Sequence, residues 1–440
     1  MAYLGNSLSV QQYAPQVAYF SGNGSTTAFT LPVSVVSAAQ IIVTVANVIQ
    51  NPSSAFTVSG TTLTFTSAPP SGTNNIWVEY TSLQTNTIAP SQGTVQNSSF
   101  GTVTALPMTY ATLGAGNASI MKNRIINGAM VISQYNGTSS VTPAADAYVI
   151  DRWKAFMTQA SKYSVQQNAG SVATPVGFNN YLGATSTSAY SVGATDYFML
   201  SQAIEGFNTA DLGWGTANAK TVTLSFQVYS SLTGTFGGAV QNSANSRSYP
   251  FSYSIPTANT WTTISVTIAG DTTGTWIGAT NGTGINLRFS LGMGSTYSGT
   301  AGSWSGSTYF SATGATSVVG TSGATFYITG VQLEVGSSAT GYEYKQYGQE
   351  LALCQRYYEQ QTSSLYMFLA TGTSGTVNKF GNITWACQKR IQPTCTITIS
   401  SNGSSGTIYP YGLISAHAYI LGTDTVSDSI ITAYTASAEL

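Results

Sequence analysis

The spacing of apolar and polar residues changes period between Thr325 and Tyr358. Across Thr325–Val335 the two classes alternate. This places Phe326, Ile328, Val331, Leu333 and Val335 on one face, with Gly330 shifting the phase as a β-bulge does. From Gln349 the span lacks glycine and proline, and Leu351, Cys354 and Tyr358 fall at helical spacing. The pattern predicts a strand that closes a long β region, then a short helix. Upstream, Ala28–Val33, Gln40–Val45, Ala55–Val58, Thr61–Thr66 and Asn75–Tyr80 read as strands, divided by turn signals that include Asn51-Pro52 and Ser59-Gly60. A second series opens with Asn123–Gln134. It continues through Tyr163–Gln167, Tyr197–Ile204, Lys220–Tyr229, Ser248–Ile255, Trp261–Ile268 and Asn286–Gly292. A third series follows the helix: Tyr366–Thr371, Lys379–Cys387, Cys395–Ser400, Gly406–Tyr411, His417–Leu421 and Ser429–Tyr434.

The fold class is therefore all-β. A small β-sandwich is expected over 1–82, an extended segment over 83–119 and a jelly-roll β-sandwich over 120–345. A connecting helix over 346–360 and a small β-sandwich over 361–440 complete the chain. The scattered apolar residues of the extended segment, such as Ile88, Phe100 and Leu113, need burial. This favours an intertwined segment in a homotrimer over a flexible linker.

Composition narrows the function. Only 6% of the 440 residues are charged, against about 25% in an average soluble protein. Ser, Thr, Asn, Gln and Gly take their place, as on a neutral β-rich extracellular or virion surface. The net charge of −1 leaves no electrostatic footprint for nucleic acid or an anionic membrane. No apolar run of about 18 residues exists, so membrane insertion is not expected. The start, Met-Ala-Tyr-Leu-Gly-Asn-Ser, lacks the features of a signal peptide. Three cysteines (Cys354, Cys387, Cys395) make a disulfide framework improbable, with Cys387 to Cys395 the only pairing considered.

Several short motifs recur in a fixed order. They are Asn127-Gly-Ala, Asp151-Arg-Trp, Val222-Thr-Leu-Ser-Phe, Thr260-Trp-Thr, Gly270-Asp-Thr-Thr-Gly-Thr-Trp and Val331-Gln-Leu-Glu-Val-Gly. Glu-Leu-Ala-Leu-Cys-Gln-Arg-Tyr-Tyr, ending at Tyr358, closes the series. Each is weak alone. In this order, over about half the chain, they resemble the carbohydrate-binding-module-like jelly roll of bacteriophage tail fibre and receptor-binding proteins. Tyr342-Glu343 departs mildly from the Phe-Glu common there. The resemblance implies a homotrimeric virion protein assembled in the host cytoplasm. Residues 1–82 would join it to the tail or a neighbouring fibre protein, and its jelly roll and tip would meet a host surface glycan. An architectural adaptor or capsid-decorating fibre, and a polysaccharide depolymerase, are the competing classes.

The chemistry in the residues points to recognition, and no enzyme activity or cofactor is expected. Glycoside hydrolysis needs two carboxylates at a set separation, and the 14 acids read as structural. Asp151 is expected to pair with Arg152, and Glu334 to accept a hydrogen bond. His417 is the one histidine and suits an ordinary tip residue. Asp271, in Gly-Asp-Thr-Thr-Gly-Thr, is either a ligand to a structural calcium or the head of an Asx turn. Sugars are bound by aromatic faces with amides and hydroxyls beside them. Trp153 and Trp261 lie in strand patterns and read as core. Trp214, Trp276 and Trp304 flank Gly-rich loops, and Tyr409, Tyr411, His417 and Tyr419 cluster at the tip. These seven are the glycan-binding candidates, weighed against loop anchoring and edge-strand packing.

Overall fold

The computed structural model describes residues 17–52, 54–81, 121–363, 365–366, 368–369, 377–399, 405–422 and 430–440. They belong to two compact units, divided between Leu106 and Pro107. The intertwined segment expected over 83–119 lies outside the described residues.

In the first unit, strands Val17–Gly22, Gly72–Tyr80, Ile41–Val45 and Val48–Ile49 form one antiparallel sheet in that order. Ala28–Val35 and Phe56–Phe65 form a separate pair. Val43, Phe56, Leu63, Ile76 and Val78 are fully buried in the unit's core. The two strands expected over 55–66 are one. Gly60, at φ +61°, is absorbed as a register irregularity opposite Val35 and makes no turn.

The second unit holds two antiparallel sheets and the C-terminal sandwich. One sheet runs Thr262–Ile268, Val222–Ser230, Thr325–Val335, Leu182–Ser186, Tyr163–Gln167. The other runs Ser248–Ile255, Gly234–Gln241, Thr283–Met293, Tyr197–Glu205, Trp153–Met157, Ala147–Ile150. Their inner faces share one core, with Trp153, Leu182, Phe198, Leu224, Phe236, Phe289 and Phe326 almost wholly excluded from solvent. Thr325–Val335 lies at the centre of its sheet. Its bulge sits at Gly330: Ser225 pairs with Gln332, but Gln227 pairs with Thr329. The phase change keeps Phe326, Ile328, Val331 and Leu333 all inward.

Asn123–Gln134 is not a strand. It lies along the end of Thr325–Val335, where Leu182–Ser186 stops pairing. Arg124 N donates to Leu333 O (2.9 Å) and Val331 N to Gly128 O (2.9 Å). The Asn123 side chain supplies the bonds a strand backbone would make, donating to Val331 O and accepting from Leu333 N. Asn127 and Met130 then take left-handed φ values, which end any extended run. Gly128 is required here, since a Cβ would lie 2.1 Å from Val331 O. Strand Gly234–Gln241 was not foreseen. Its glycines read as loop, yet Gly238 lies so close to Arg288 O and the Phe251 ring that no side chain fits.

The C-terminal sandwich pairs Ile430–Ser437 with Tyr358–Gln361 and Thr394–Ile399 in one sheet. The other runs Phe368–Leu369, Val377–Thr384, Ser415–Gly422, Ser405–Tyr411. The helix Tyr347–Gln355 precedes it, and Tyr358 opens a strand where helical spacing was expected to continue. Leu351, Cys354 and Tyr357 pack on Ile126, Ile132 and Leu440 of the same chain. All three cysteines are free thiols.

A buried polar seam joins the helix and this sandwich to the jelly roll. The Arg152 guanidinium lies 3.6 Å from the Tyr357 ring centre and pairs with Glu439, not with Asp151. Asp151 instead accepts from the backbone and side chain of Gln134. Arg356 forks onto Glu205 (2.6 and 3.0 Å), which also accepts from Tyr357 OH (2.6 Å). Lys389, fully buried, bonds Glu359 and Gln355 O at 2.6 Å each. The Tyr135 ring stacks on Tyr358 at 3.7 Å.

Two outcomes follow. Arg152→Met leaves Glu439 buried without its cation and is expected to cost about 3–5 kcal/mol in denaturant unfolding. Adding Glu439→Gln is expected to recover most of that loss. Burial pushes the Asp151 carboxyl up to about 6, against the pull of the Gln134 hydrogen bonds. The folded protein therefore holds this proton more tightly than the unfolded chain. That stabilisation is complete below about pH 4 and is lost as pH rises through 6, a change of about 3 kcal/mol. Asp151→Asn is expected to flatten the pH dependence of the unfolding midpoint over that window.

Candidate functional site

The three loop tryptophans meet. Trp214, Trp276 and Trp304 have ring centres 4.8, 5.3 and 5.4 Å apart, all edge-to-face. Trp214 is buried, while Trp276 and Trp304 are half-buried against the jelly-roll core. Their indole N–H groups are taken: Trp214 by Lys220 O (2.8 Å), Trp304 by Ala269 O (2.7 Å), Trp276 by Asp271 and Thr273 O. The open space beside them is a hollow of ≈ 50 Å³ between Trp214, Trp276 and Ile277. Rings packed edge against face, with their donors spent, serve as a brace for three loops.

Asp271 holds that brace. Its carboxylate faces Arg247 (2.7 and 2.8 Å) and also accepts from the Thr273 amide and the Trp276 indole. Burial raises this carboxyl, but Arg247 and Thr273 outweigh it and hold it below the usual carboxylate range. Asp271 thus heads an Asx turn and faces a guanidinium. Among the described residues, no three His, Cys, Asp or Glu side chains gather to hold a metal.

At the tip, Tyr409 pairs with His417 across the hairpin Ser405–Tyr411/Ser415–Gly422. Tyr411 meets the His417 ring at 5.5 Å, edge to face. Tyr409 and Tyr411 are 58% and 72% exposed, enough to leave open ring faces. Tyr419 pairs with Thr407 in this hairpin, and its side chain lies outside the described set.

A further surface escaped the sequence reading. On the outer face of the five-stranded sheet, Tyr229 and Tyr327 stack 5.3 Å apart at 5°. Tyr181 stacks on Tyr327 at 5.1 Å, and Trp261 closes the cluster against Tyr181 and Tyr229, 5.5 Å from each. Trp261 is thus a half-buried outer-face residue and not part of the main core. Its indole donates to Ala173 O (2.8 Å). The positions beside these rings are Ser164, Gln166, Gly183, Thr185, Ser225, Gln227, Thr263 and Ser265, and none carries charge. Gln227 and Thr263 exchange hydrogen bonds across the strands (2.9 and 3.1 Å), holding an amide and a hydroxyl in place. The signal was in the alternation: Tyr229 and Tyr327 sit on the polar phase of their strands.

No family model matches the chain, and no curated protein matches it. Among solved structures it is similar to a putative sugar binding protein from Bacteroides thetaiotaomicron. Identity there is 12% and TM-score 0.30, over 49% of this chain and 100% of that one. It is also similar to the Family 11 carbohydrate-binding module from Clostridium thermocellum in complex with a mixed-linked tetrasaccharide. That match has 10% identity and TM-score 0.23, over 47% of this chain and 100% of that one. The enzymatically active domain of bacteriophage CBA120 tailspike protein 4 matches at 12% identity and TM-score 0.27, over 48% of this chain but 21% of the tailspike. These likenesses are weak.

Asp271→Ala strips the partner from Arg247 and frees the Trp276 indole. Expected are a red shift of tryptophan emission and a loss of about 3 kcal/mol. Millimolar calcium is expected to leave the melting temperature unchanged, whereas a rise of several degrees would restore a metal site.

Proposed function

We propose that the chain is a glycan-recognition protein of a bacteriophage tail fibre, attaching the virion to the host surface. The glycan reading is carried by the uncharged end of the outer face of the five-stranded sheet, around Tyr229 and Trp261. There the half-buried Tyr229 and Trp261 rings, backed by the buried Tyr181 and Tyr327, adjoin fixed hydroxyl and amide groups. A pyranose offers a C–H face to aromatic rings and an edge of hydroxyls to such groups. A rigid sheet supplies both without ordering cost on binding. The exposed Tyr409, Tyr411 and His417 form a smaller second platform. Binding is favoured over cleavage by the use of the described acids. Asp151, Glu205, Asp271, Glu334 and Glu359 each hold a hydrogen bond or ion pair within the fold.

The tail-fibre assignment is supported by the ordered motifs from Asn127 to Tyr358. On it, residues 1–82 attach to the tail or a neighbouring fibre protein, and three copies raise weak sugar affinity through effective concentration.

Purified protein is expected to block phage adsorption and to bind host surface polysaccharide with little dependence on salt, as suits a neutral contact. Trp261→Ala is expected to weaken binding about tenfold, or about 1.4 kcal/mol. Tyr409→Ala with Tyr411→Ala is expected to do less. Failure of the wild-type protein to bind cells or polysaccharide at any concentration would sink the reading.

A further inference from the structure

A second pocket lies at the start of the helix, its walls packed on Phe178. Its volume is ≈ 120 Å³, and Tyr342, Tyr344 and Tyr347 form its walls beside Ala129, Lys345 and Glu350. Tyr342 and Tyr344 meet edge to face at 5.1 Å, which fixes the angle between two walls. Tyr344 and Tyr347 are 62% and 63% exposed, so large ring surfaces face solvent at the mouth.

The charged side chains lining this pocket are one carboxylate, Glu350, and one ammonium, Lys345. Glu350 is only 8% exposed, and one of its oxygens accepts from the Asn127 amide. Glu343 lies beside it and accepts from Asn123 N (2.8 Å). The Lys345 ammonium lies 3.5 Å from Glu343, and Lys122 Nζ donates to Gly341 O, so among the described residues Glu350 has no ion-pair partner within 4 Å. Burial holds the Glu350 carboxyl above its usual range, with Lys345 and the Asn127 amide only partly opposing it. Aromatic faces draw cations through their quadrupole, and a nearby carboxylate adds to that pull in a desolvated site.

We propose that the Tyr342–Tyr344–Tyr347 pocket, with Glu350 at its base, binds an ammonium group carried by a ligand. Either the protonated amine of an amino sugar or a quaternary ammonium head group supplies that chemistry. A neutral sugar hydroxyl would leave the buried Glu350 carboxylate without a cation, and an anion would be repelled by it. The site is independent of the sheet face, and its test reads binding of defined small molecules.

The experiment titrates the full chain with tetramethylammonium, choline, glucosamine and N-acetylglucosamine at constant ionic strength, followed by saturation-transfer NMR and calorimetry. Saturable binding of at least one ammonium probe is expected, with N-acetylglucosamine failing to bind. Preference for tetramethylammonium and choline assigns the pocket to a quaternary head group, and preference for glucosamine assigns it to an amino sugar. Glu350→Gln keeps an acceptor for Asn127 and is expected to lower affinity at least tenfold. Tyr347→Ala alters an exposed wall, so folding is safe, and is expected to do the same. Trp261→Ala is expected to leave this binding intact. Absence of saturable binding for every ammonium probe, equal binding of glucosamine and N-acetylglucosamine, or unchanged affinity in both pocket variants would overturn the proposal.

Discussion

The second unit depends on a guanidinium taken out of water. Arg152 sits against the Tyr357 ring and Glu439, with an N–H to Ala203 O, and has almost no solvent contact. Desolvating an ion costs several kcal/mol, so such a pair persists only where its geometry is well satisfied. Here the partners come from the jelly roll, the end of the helix and the last residues of the chain. Glu205 with Arg356 and Glu359 with Lys389 repeat the device on either side. Each ties elements far apart in sequence, so the sandwiches are fixed to one another by specific charge pairing as well as by apolar contact.

This concentration of charge in a seam leaves the Tyr229–Trp261 end of the outer sheet face free of it, while Glu334, further along that face, is buried under Thr340. The chain has few ions, and several of them are buried in structural pairs. What remains outside on the five-stranded sheet is hydroxyl, amide and ring. Such a face gives no long-range steering and little salt dependence. Selectivity must then come from stacking geometry and from hydrogen bonds that exclude ligands of the wrong shape. Pre-formed rigidity follows from the same packing, since Tyr229 and Tyr327 flank core strands whose alternate residues are wholly buried.

Much of the architecture was legible in the alternation of residues. Thr325–Val335 was read with its bulge because Gly330 interrupts an otherwise regular pattern. Strand Gly234–Gln241 was hidden because its glycines serve close backbone approach, which leaves no apolar signature. Asn123–Gln134 misled because a side chain, Asn123, imitates backbone pairing. The ordered motifs were visible as marks of resemblance, but their physical purpose was not. Asn127, Asp151, Arg152, Glu350 and Tyr357 gather at the seam, and the Arg152–Glu439 pair spans 287 positions. No local pattern encodes a partner at that distance. For the candidate site, the tryptophans were found as residues, with glycan binding and loop anchoring both open, but their meeting was not visible. Their edge-to-face packing and spent donors emerge only in three dimensions. Trp261 was assigned to the core because it adjoins a strand, although its phase places it outside.

The most direct measurement is hydroxyl-radical footprinting of the intact protein with and without saturating host polysaccharide. The account predicts that Trp261 and Tyr229 lose reactivity on binding, with smaller changes at Tyr409 and Tyr411. Protection confined to the tip tyrosines, with Trp261 and Tyr229 unchanged, would contradict recognition by the sheet face.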